Sequence, residues 1–152
     1  MKFVISARRK MTPEEVYKIA EAEIGIHETR GPESTQRILE YHNCTSLDAS
    51  NDETPWCSSF VNWVVCQAGG KGTNSAMARS WLNWGVPIAY PFPGCIVVLK
   101  RGKAPSGHVG IFKYRRSPGG WVHVVGGNQS DQVKVSLYAE ANVLGYRWED
   151  ET

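Results

Sequence analysis

The sequence contains no long apolar run, no cluster of basic residues large enough to cover a face, and no paired cysteine motif. A membrane-spanning helix needs about 18 consecutive apolar residues, and no stretch approaches that length, so we expect no stable membrane insertion. The net charge of +2 comes without a basic patch, so we expect no nucleic-acid partner. The 4 cysteines and 4 histidines lack the spacing of zinc ligands, so we expect no metal and no cofactor.

The start of the chain, MKFVISARRKM, is a short apolar patch followed by basic residues. A secretory signal needs a longer apolar stretch after its charged start, so we expect synthesis in a cytoplasm without a signal peptide. A length of 152 residues, with no internal repeat or linker-like tract, favours a single domain over residues 1–152, which we expect to be monomeric. Residues 1–11 are then a basic N-terminal extension.

Helix signals dominate the first part of the chain. Thr12 can cap a helix that has a proline at its first position, and Glu15 completes a capping box with Thr12. Apolar residues follow at helical spacing until Gly25, which is typical of a helix end. A second short helix is predicted over residues 33–41.

The stretch ETPWCSSFVNWVV predicts a third helix with a cysteine near its start. We expect Thr54 to cap this helix and Pro55 to take its first position, which puts Cys57 at the third position. The apolar stripe of the helix continues to Gly69, where a glycine pair ends it, and a further short helix is predicted over residues 76–83.

Strand signals dominate the second part of the chain. Apolar or alternating runs bounded by turn residues predict strands over residues 94–99, 108–114, 121–127 and 132–138, and a short fifth strand over 145–148. Helices followed by a small antiparallel sheet define an α+β fold.

Cys57 is the cysteine whose predicted surroundings suit a nucleophile. The unpaired amides and the positive dipole end at a helix N-terminus stabilise a thiolate, and the Cys57 amide could also serve as an oxyanion donor. Cys66 lies near the opposite end of the helix, Cys95 in an apolar strand and Cys44 in a loop. On position alone, however, a buried structural thiol is the more common case for Cys57.

A nucleophilic thiol needs a base, and the predicted hairpin favours His108. If the turn centres between residues 117 and 118, His108 lies opposite residue 127, give or take one, which brings Asn128 within reach of the imidazole. Asn128 could then orient the ring, although an asparagine after two glycines is also typical of a turn. We expect His27 and His42 to be solvated. We expect His123 to lie mid-strand, opposite about Phe112.

The blocks PWCSSFVNWVV, ARSWLNWG, PGCIVVLKR, SGHVGIF and VVGGNQSDQVKVSLY, with VLGYRW, together resemble the CHAP/NlpC-type superfamily of cysteine amidases and endopeptidases. The similarity covers about residues 12–148 and is closest to small single-domain members associated with phages. It implies a papain-like α+β fold, with N-terminal helices packed on the sheet. It also implies a peptidoglycan peptide substrate, with Cys57 as nucleophile, His108 as base and Asn128 as the polar third residue.

The resemblance carries two departures from common members of the superfamily. Some members bind calcium through an Asp-rich loop before the cysteine, and DASNDE lacks that motif, so no metal is expected. Many members carry a separate wall-binding domain, and its absence suits an endolysin that is made in the host cytoplasm and reaches a thin wall after release. Four aromatic or acidic residues are candidates to line the substrate groove: Trp56, Glu53, Tyr41 and Trp81.

Alternative functions remain open at the level of the sequence. An interbacterial effector amidase would use the same chemistry in another setting. A non-catalytic wall-binding or phage structural module would retain only the fold, and a protein-directed cysteine protease would use the same site on another substrate. The bond that is cleaved is also left open, since no residue distinguishes an amidase from an endopeptidase.

Overall fold

A computed structural model describes residues 10–28, 32–45, 56–104 and 106–150. Within these residues, the helices are α1 (Pro13–Ala22), α2 (Pro32–His42) and α3 (Cys57–Gln67), with 3₁₀ helices at Ala78–Asn83 and Glu140–Asn142. The strands are β1 (Val86–Pro87), β2 (Ile96–Lys100), β3 (Gly107–Arg115), β4 (Trp121–Gln129), β5 (Gln132–Ala139) and β6 (Val143–Trp148). No helix in the described ranges is both long and apolar enough to cross a bilayer. The predicted α+β fold is confirmed.

Helix α1 forms as its capping box predicts. The backbone N–H of Glu15 donates to Thr12 Oγ1 at 3.2 Å, and the Thr12 N–H donates to Glu15 Oε1 at 3.1 Å. These two bonds satisfy donors that a helix start otherwise leaves unpaired. The helix buries Val16 and Ala20 against the core, as the 3.6-residue period predicts. It ends at Ala22, before the predicted end at Gly25, and leaves Ile24 exposed.

The strands of the described region form one antiparallel sheet in the order β1-β6-β2-β3-β4-β5. Strand β2 lies between β3 and β6, and residues 96–99 are all buried because this strand is covered on both faces. The four main predicted strands and the short fifth are confirmed. Strand β1 is not predicted, because its two residues are too few to show an alternating pattern.

Helix α3 begins later than its sequence signals predict. Trp56 is the N-cap, with φ −125° and ψ 17°, so Cys57 is the first helical residue and not the third. The prediction is wrong because tertiary packing fixes the Trp56 ring: it is fully buried, stacks on Tyr41 and donates from Nε1 to Glu28 at 2.6 Å. Thr54 and Pro55 lie outside the described residues.

The predicted helix over 76–83 also differs in kind and extent. Its residues form a 3₁₀ helix that begins at Ala78, after an extended Met77 with ψ 124°. This short element buries Ala78 and Trp81 against the core. The tighter 3₁₀ winding suits a segment of only six residues, since a full α-helical stretch of that length adds few hydrogen bonds.

The start of α3 lies directly on strand β4, and a glycine allows this close approach. A Cβ added at Gly127 would lie 2.7 Å from the Trp56 ring and 2.8 Å from Phe60 Cβ, closer than side-chain carbons can approach. Gly127 therefore lets the first turn of α3 rest on the backbone of the sheet. Helix α3, which starts at Cys57, also packs on strand β3.

Candidate active site

Cys57 lies where the first turn of α3 meets strand β3. Its side chain is 5% exposed, and the sulfur accepts a hydrogen bond from the backbone N–H of Val109. The backbone amides of Cys57 and Ser58 also act on the sulfur, as expected at a helix start whose first amides lack intrahelical partners. The thiol therefore rests on the residue that directly follows His108.

His108 is the second residue of β3 and is held there by the strand pairing. It lies opposite Leu99 of β2 and is only 1% exposed. Its Nε2 atom is 2.8 Å from Oε1 of Gln129, and its ring centroid is 5.4 Å from the ring of Tyr138. Burial on the sheet and these two contacts fix the orientation of the imidazole.

The hydrogen bonds of Gln129 determine which nitrogen of His108 carries the proton. The amide nitrogen of Gln129 donates to the carbonyl oxygens of Lys134, at 2.7 Å, and Val124, at 3.3 Å. Its Oε1 therefore faces His108 and also accepts a 3.0 Å bond from the hydroxyl of Tyr138. Because Oε1 is only an acceptor, Nε2 of His108 is the donor, and Nδ1 carries the lone pair. Nδ1 is buried and has no hydrogen-bond partner in the part of the chain described.

The structure corrects the expected partner of His108. The register predicts Asn128, but the bond is made by Gln129, the next residue. The pairing of β4 with β5 shifts between Gly126 and Gln129, and Asn128 takes the left-handed conformation with φ 57°. This bulge turns the following side chain inward, where Oε1 of Gln129 occupies the space that a Cβ at Gly126 would fill.

Sequence reasoning missed both Gln129 and Tyr138. Tyr138 lies on β5, opposite Val122 of β4, and is half-buried. The signal for Gln129 was the two glycines followed by asparagine, because a left-handed asparagine breaks the alternation of a strand and shifts it by one residue. No comparable signal marks Tyr138, since its contact depends on a neighbouring strand.

Burial dominates the electrostatics of the site. It raises the pKa of the Cys57 thiol, although the Val109 amide and the positive charge of Arg101 act in the opposite direction. Burial also lowers the pKa of His108 to about 4, against the raising effect of the Gln129 bond. The resting site at neutral pH therefore holds a neutral thiol and a neutral imidazole. The amides at the helix start favour the thiolate, as the sequence predicts, but burial acts more strongly in the opposite direction, and the net effect is a raised pKa of the Cys57 thiol.

The residues predicted to line a groove lie elsewhere. Tyr41, Trp56 and Trp81 are fully buried, so none of them lines an open surface, and this prediction is corrected. Tyr41 donates to Glu23 at 2.6 Å, and Trp81 Nε1 donates to Ser58 Oγ at 2.9 Å, so their polar atoms are used within the fold. Glu53 lies outside the described residues.

The other histidines also differ in part from expectation. His42 is buried, not solvated, and its Nδ1 is 2.7 Å from Ser59 Oγ. His27 is exposed, as predicted. His123 lies opposite Tyr114 and not Phe112, because the pairing of β3 with β4 shifts between Phe112 and Tyr114.

Comparison with protein families agrees with this geometry. The family model described as CHAP domain matches residues 49–128, just over half of the chain, and the chain therefore belongs to the CHAP domain family. CHAP domains are typically cysteine- and histidine-dependent amidases or peptidases, and the domain suggests peptidoglycan hydrolysis in general. None of the curated proteins compared with the chain matches it. The matched region contains Cys57 and His108 and ends one residue before Gln129.

Proposed function

We propose that the protein is a peptidoglycan hydrolase that cleaves an amide bond of the wall peptide, with Cys57 as nucleophile, His108 as base and Gln129 as the residue that orients the base. The observation that supports this most strongly is the bonding of Gln129. These bonds keep the proton on Nε2 of His108 and leave Nδ1 as the proton acceptor. His108 directly precedes Val109, whose backbone amide donates to the thiol of Cys57. Membership of the CHAP family supports the substrate class.

The first chemical step begins from neutral partners. As the sulfur of Cys57 attacks the carbonyl carbon, its proton passes to Nδ1 of His108, so no thiolate needs to accumulate beforehand. The imidazolium that forms keeps its Nε2–H on Oε1 of Gln129. Arg101 disfavours this cation, while the Gln129 bond favours it.

The remaining steps return the enzyme to its starting state. The carbonyl oxygen becomes an oxyanion, for which the Cys57 amide at the start of α3 is a donor. The tetrahedral intermediate collapses as His108 gives its Nδ1 proton to the leaving amine, which leaves a thioester on Cys57. A water molecule, deprotonated by Nδ1, then attacks the thioester and releases a carboxylate and the thiol.

The proposal is tested with purified cell walls and three variants. Wild-type protein is expected to reduce the turbidity of a wall suspension, whereas Cys57→Ala and His108→Ala should leave it unchanged. Cys66→Ala is the matched control, because Cys66 is an exposed cysteine of the same helix and lies near its other end. Lysis by Cys57→Ala at the wild-type rate would end the proposal.

We further propose an endolysin-like setting, in which the protein is made in the host cytoplasm and reaches the wall after release. Cytoplasmic expression should then lyse cells only when a holin is co-expressed. Toxicity that requires periplasmic targeting and is suppressed by a neighbouring immunity protein would instead assign the same chemistry to an interbacterial effector.

A further inference from the structure

Helix α2 packs on one face of α3, and the contacts follow helical spacing. His42 bonds Ser59, and Tyr41 contacts Trp63 with ring centroids 5.2 Å apart. Ser59 and Trp63 are four residues apart, and Cys66 follows three residues later, so all three lie on the same face of α3. The face that holds α2 thus continues to Cys66.

Cys44 extends this contact from the other side. It lies in the turn after α2, where its N–H donates to the carbonyl of Tyr41 at 3.1 Å. Its thiol is half-buried, and the sulfur of the exposed Cys66 acts on it as a hydrogen-bond partner. Both cysteines also line one surface cavity of about 310 Å³, so a small molecule can reach the pair.

We propose that Cys44 and Cys66 are a modification site, at which a small-molecule disulfide such as oxidised glutathione converts the two thiols into a disulfide that ties α2 to α3. The thiolate of Cys66 attacks one sulfur of oxidised glutathione and displaces glutathione thiolate. Cys44 then loses its proton to solvent, attacks the sulfur of Cys66 and displaces the second glutathione. Two protein thiols are oxidised, and one glutathione disulfide is reduced to two thiols.

The positions of the two cysteines give this cross-link a definite effect. It closes a loop that contains Cys57, so it restrains the helix that carries the candidate nucleophile. Burial raises the pKa of Cys44 to about 11, so Cys44 is protonated at neutral pH, and the exposed Cys66 meets the oxidant first. A protein that leaves a reducing compartment for an oxidising one would gain the cross-link on the way.

The test uses the full chain with Cys57→Ala as background, so that the candidate nucleophile cannot react. After incubation with oxidised glutathione, the intact mass should fall by two hydrogen atoms. Digestion without reductant should yield one peptide pair joined through residues 44 and 66. The melting temperature should rise by about 5–10 °C, because the cross-link restricts the unfolded chain.

Single variants separate the pair from other thiols. Adding Cys44→Ser or Cys66→Ser should abolish the cross-link and the rise in melting temperature, whereas adding Cys95→Ser should leave the cross-link in place. A stable glutathione adduct on Cys66 without the peptide pair, or a cross-link that leaves the melting temperature unchanged, would overturn the proposal. Neither readout depends on catalysis, so the result stands apart from the test of wall hydrolysis.

Discussion

At the scale of single residues, the chemistry depends on which nitrogen of His108 holds the proton. Gln129 determines this because its own amide is held by two backbone carbonyls and therefore cannot rotate freely. Tyr138 supports the same arrangement by donating to the oxygen that His108 uses. A side chain that only filled the space of Gln129 would leave the imidazole free to take the other tautomer.

Replacing Gln129 should separate orientation from packing. Gln129→Leu keeps much of the volume but removes the acceptor, and we expect kcat/KM to fall by about 10²-fold while the protein remains folded. Asn128→Gly is the control, because glycine tolerates the positive φ at residue 128 and the hydrogen bond to His108 is made by Gln129. Equal losses in the two variants would contradict the assignment of Gln129.

The pH dependence of hydrolysis should reflect two buried, neutral groups. His108 must be unprotonated to accept the thiol proton, and its pKa of about 4 lies below the usual 6.5. We therefore expect kcat/KM to be retained as the pH falls through 6.5 and to be lost only near pH 4, and the raised pKa of Cys57 should extend activity at alkaline pH. An acid limb centred near pH 6.5 would show that His108 is not the buried base.

Gln129→Glu offers a second check on the same profile. A carboxylate next to Nε2 stabilises the imidazolium, so the pKa of His108 should rise and the acid limb should move to higher pH. A shift of the acid limb to higher pH would show that residue 129 acts electrostatically on His108, whereas an unchanged acid limb would show that its contact with His108 is purely structural.

At the scale of secondary-structure elements, the sequence predicts those features of helices and strands that depend only on residues close together in the chain. The capping box of Thr12 and the alternating pattern of β5 are of this kind. The start of α1 and strand β5 form as predicted, although α1 ends at Ala22 and not at Gly25. Two other features could not be predicted in this way. The start of α3 depends on the packing of Trp56, and the bulge before Gln129 depends on the pairing of β4 with β5.

The contact between α3 and β4 should be sensitive to a single methyl group. Gly127→Ala forces a Cβ against Trp56 and Phe60, so the free energy of unfolding should fall by about 1–3 kcal/mol, measured by urea denaturation. Gly120→Ala is the control, since its nearest neighbour would be at an ordinary 3.5 Å. A Gly127→Ala protein as stable as wild type would mean that the helix can move away from the sheet.

At the scale of the whole molecule, the sequence was sufficient for the fold class and for the placement of Cys57 and His108 on α3 and β3. It was insufficient for the protonation states, because burial is a property of the assembled core. The same burial links the site to overall stability.

Stability should fall in acid partly because of His108. Its folded pKa of about 4 is below the unfolded value of 6.5, so the unfolded chain binds the proton first, and stability is lost as the pH falls from 6.5 towards 4. The loss should amount to about 3 kcal/mol for this group. Urea denaturation across this range should show a shallower pH dependence for His108→Gln than for wild type. Identical slopes would contradict the depressed pKa.

The most direct measurement is mass spectrometry of peptidoglycan fragments after digestion by wild type, Cys57→Ala and Cys66→Ala. Wild type and Cys66→Ala are expected to release peptides with water added across one amide bond, which creates a new amine and a new carboxylate. Cys57→Ala should release none. The same cleaved peptides from Cys57→Ala, or intact stem peptides from wild type, would contradict cysteine-dependent hydrolysis of the wall peptide.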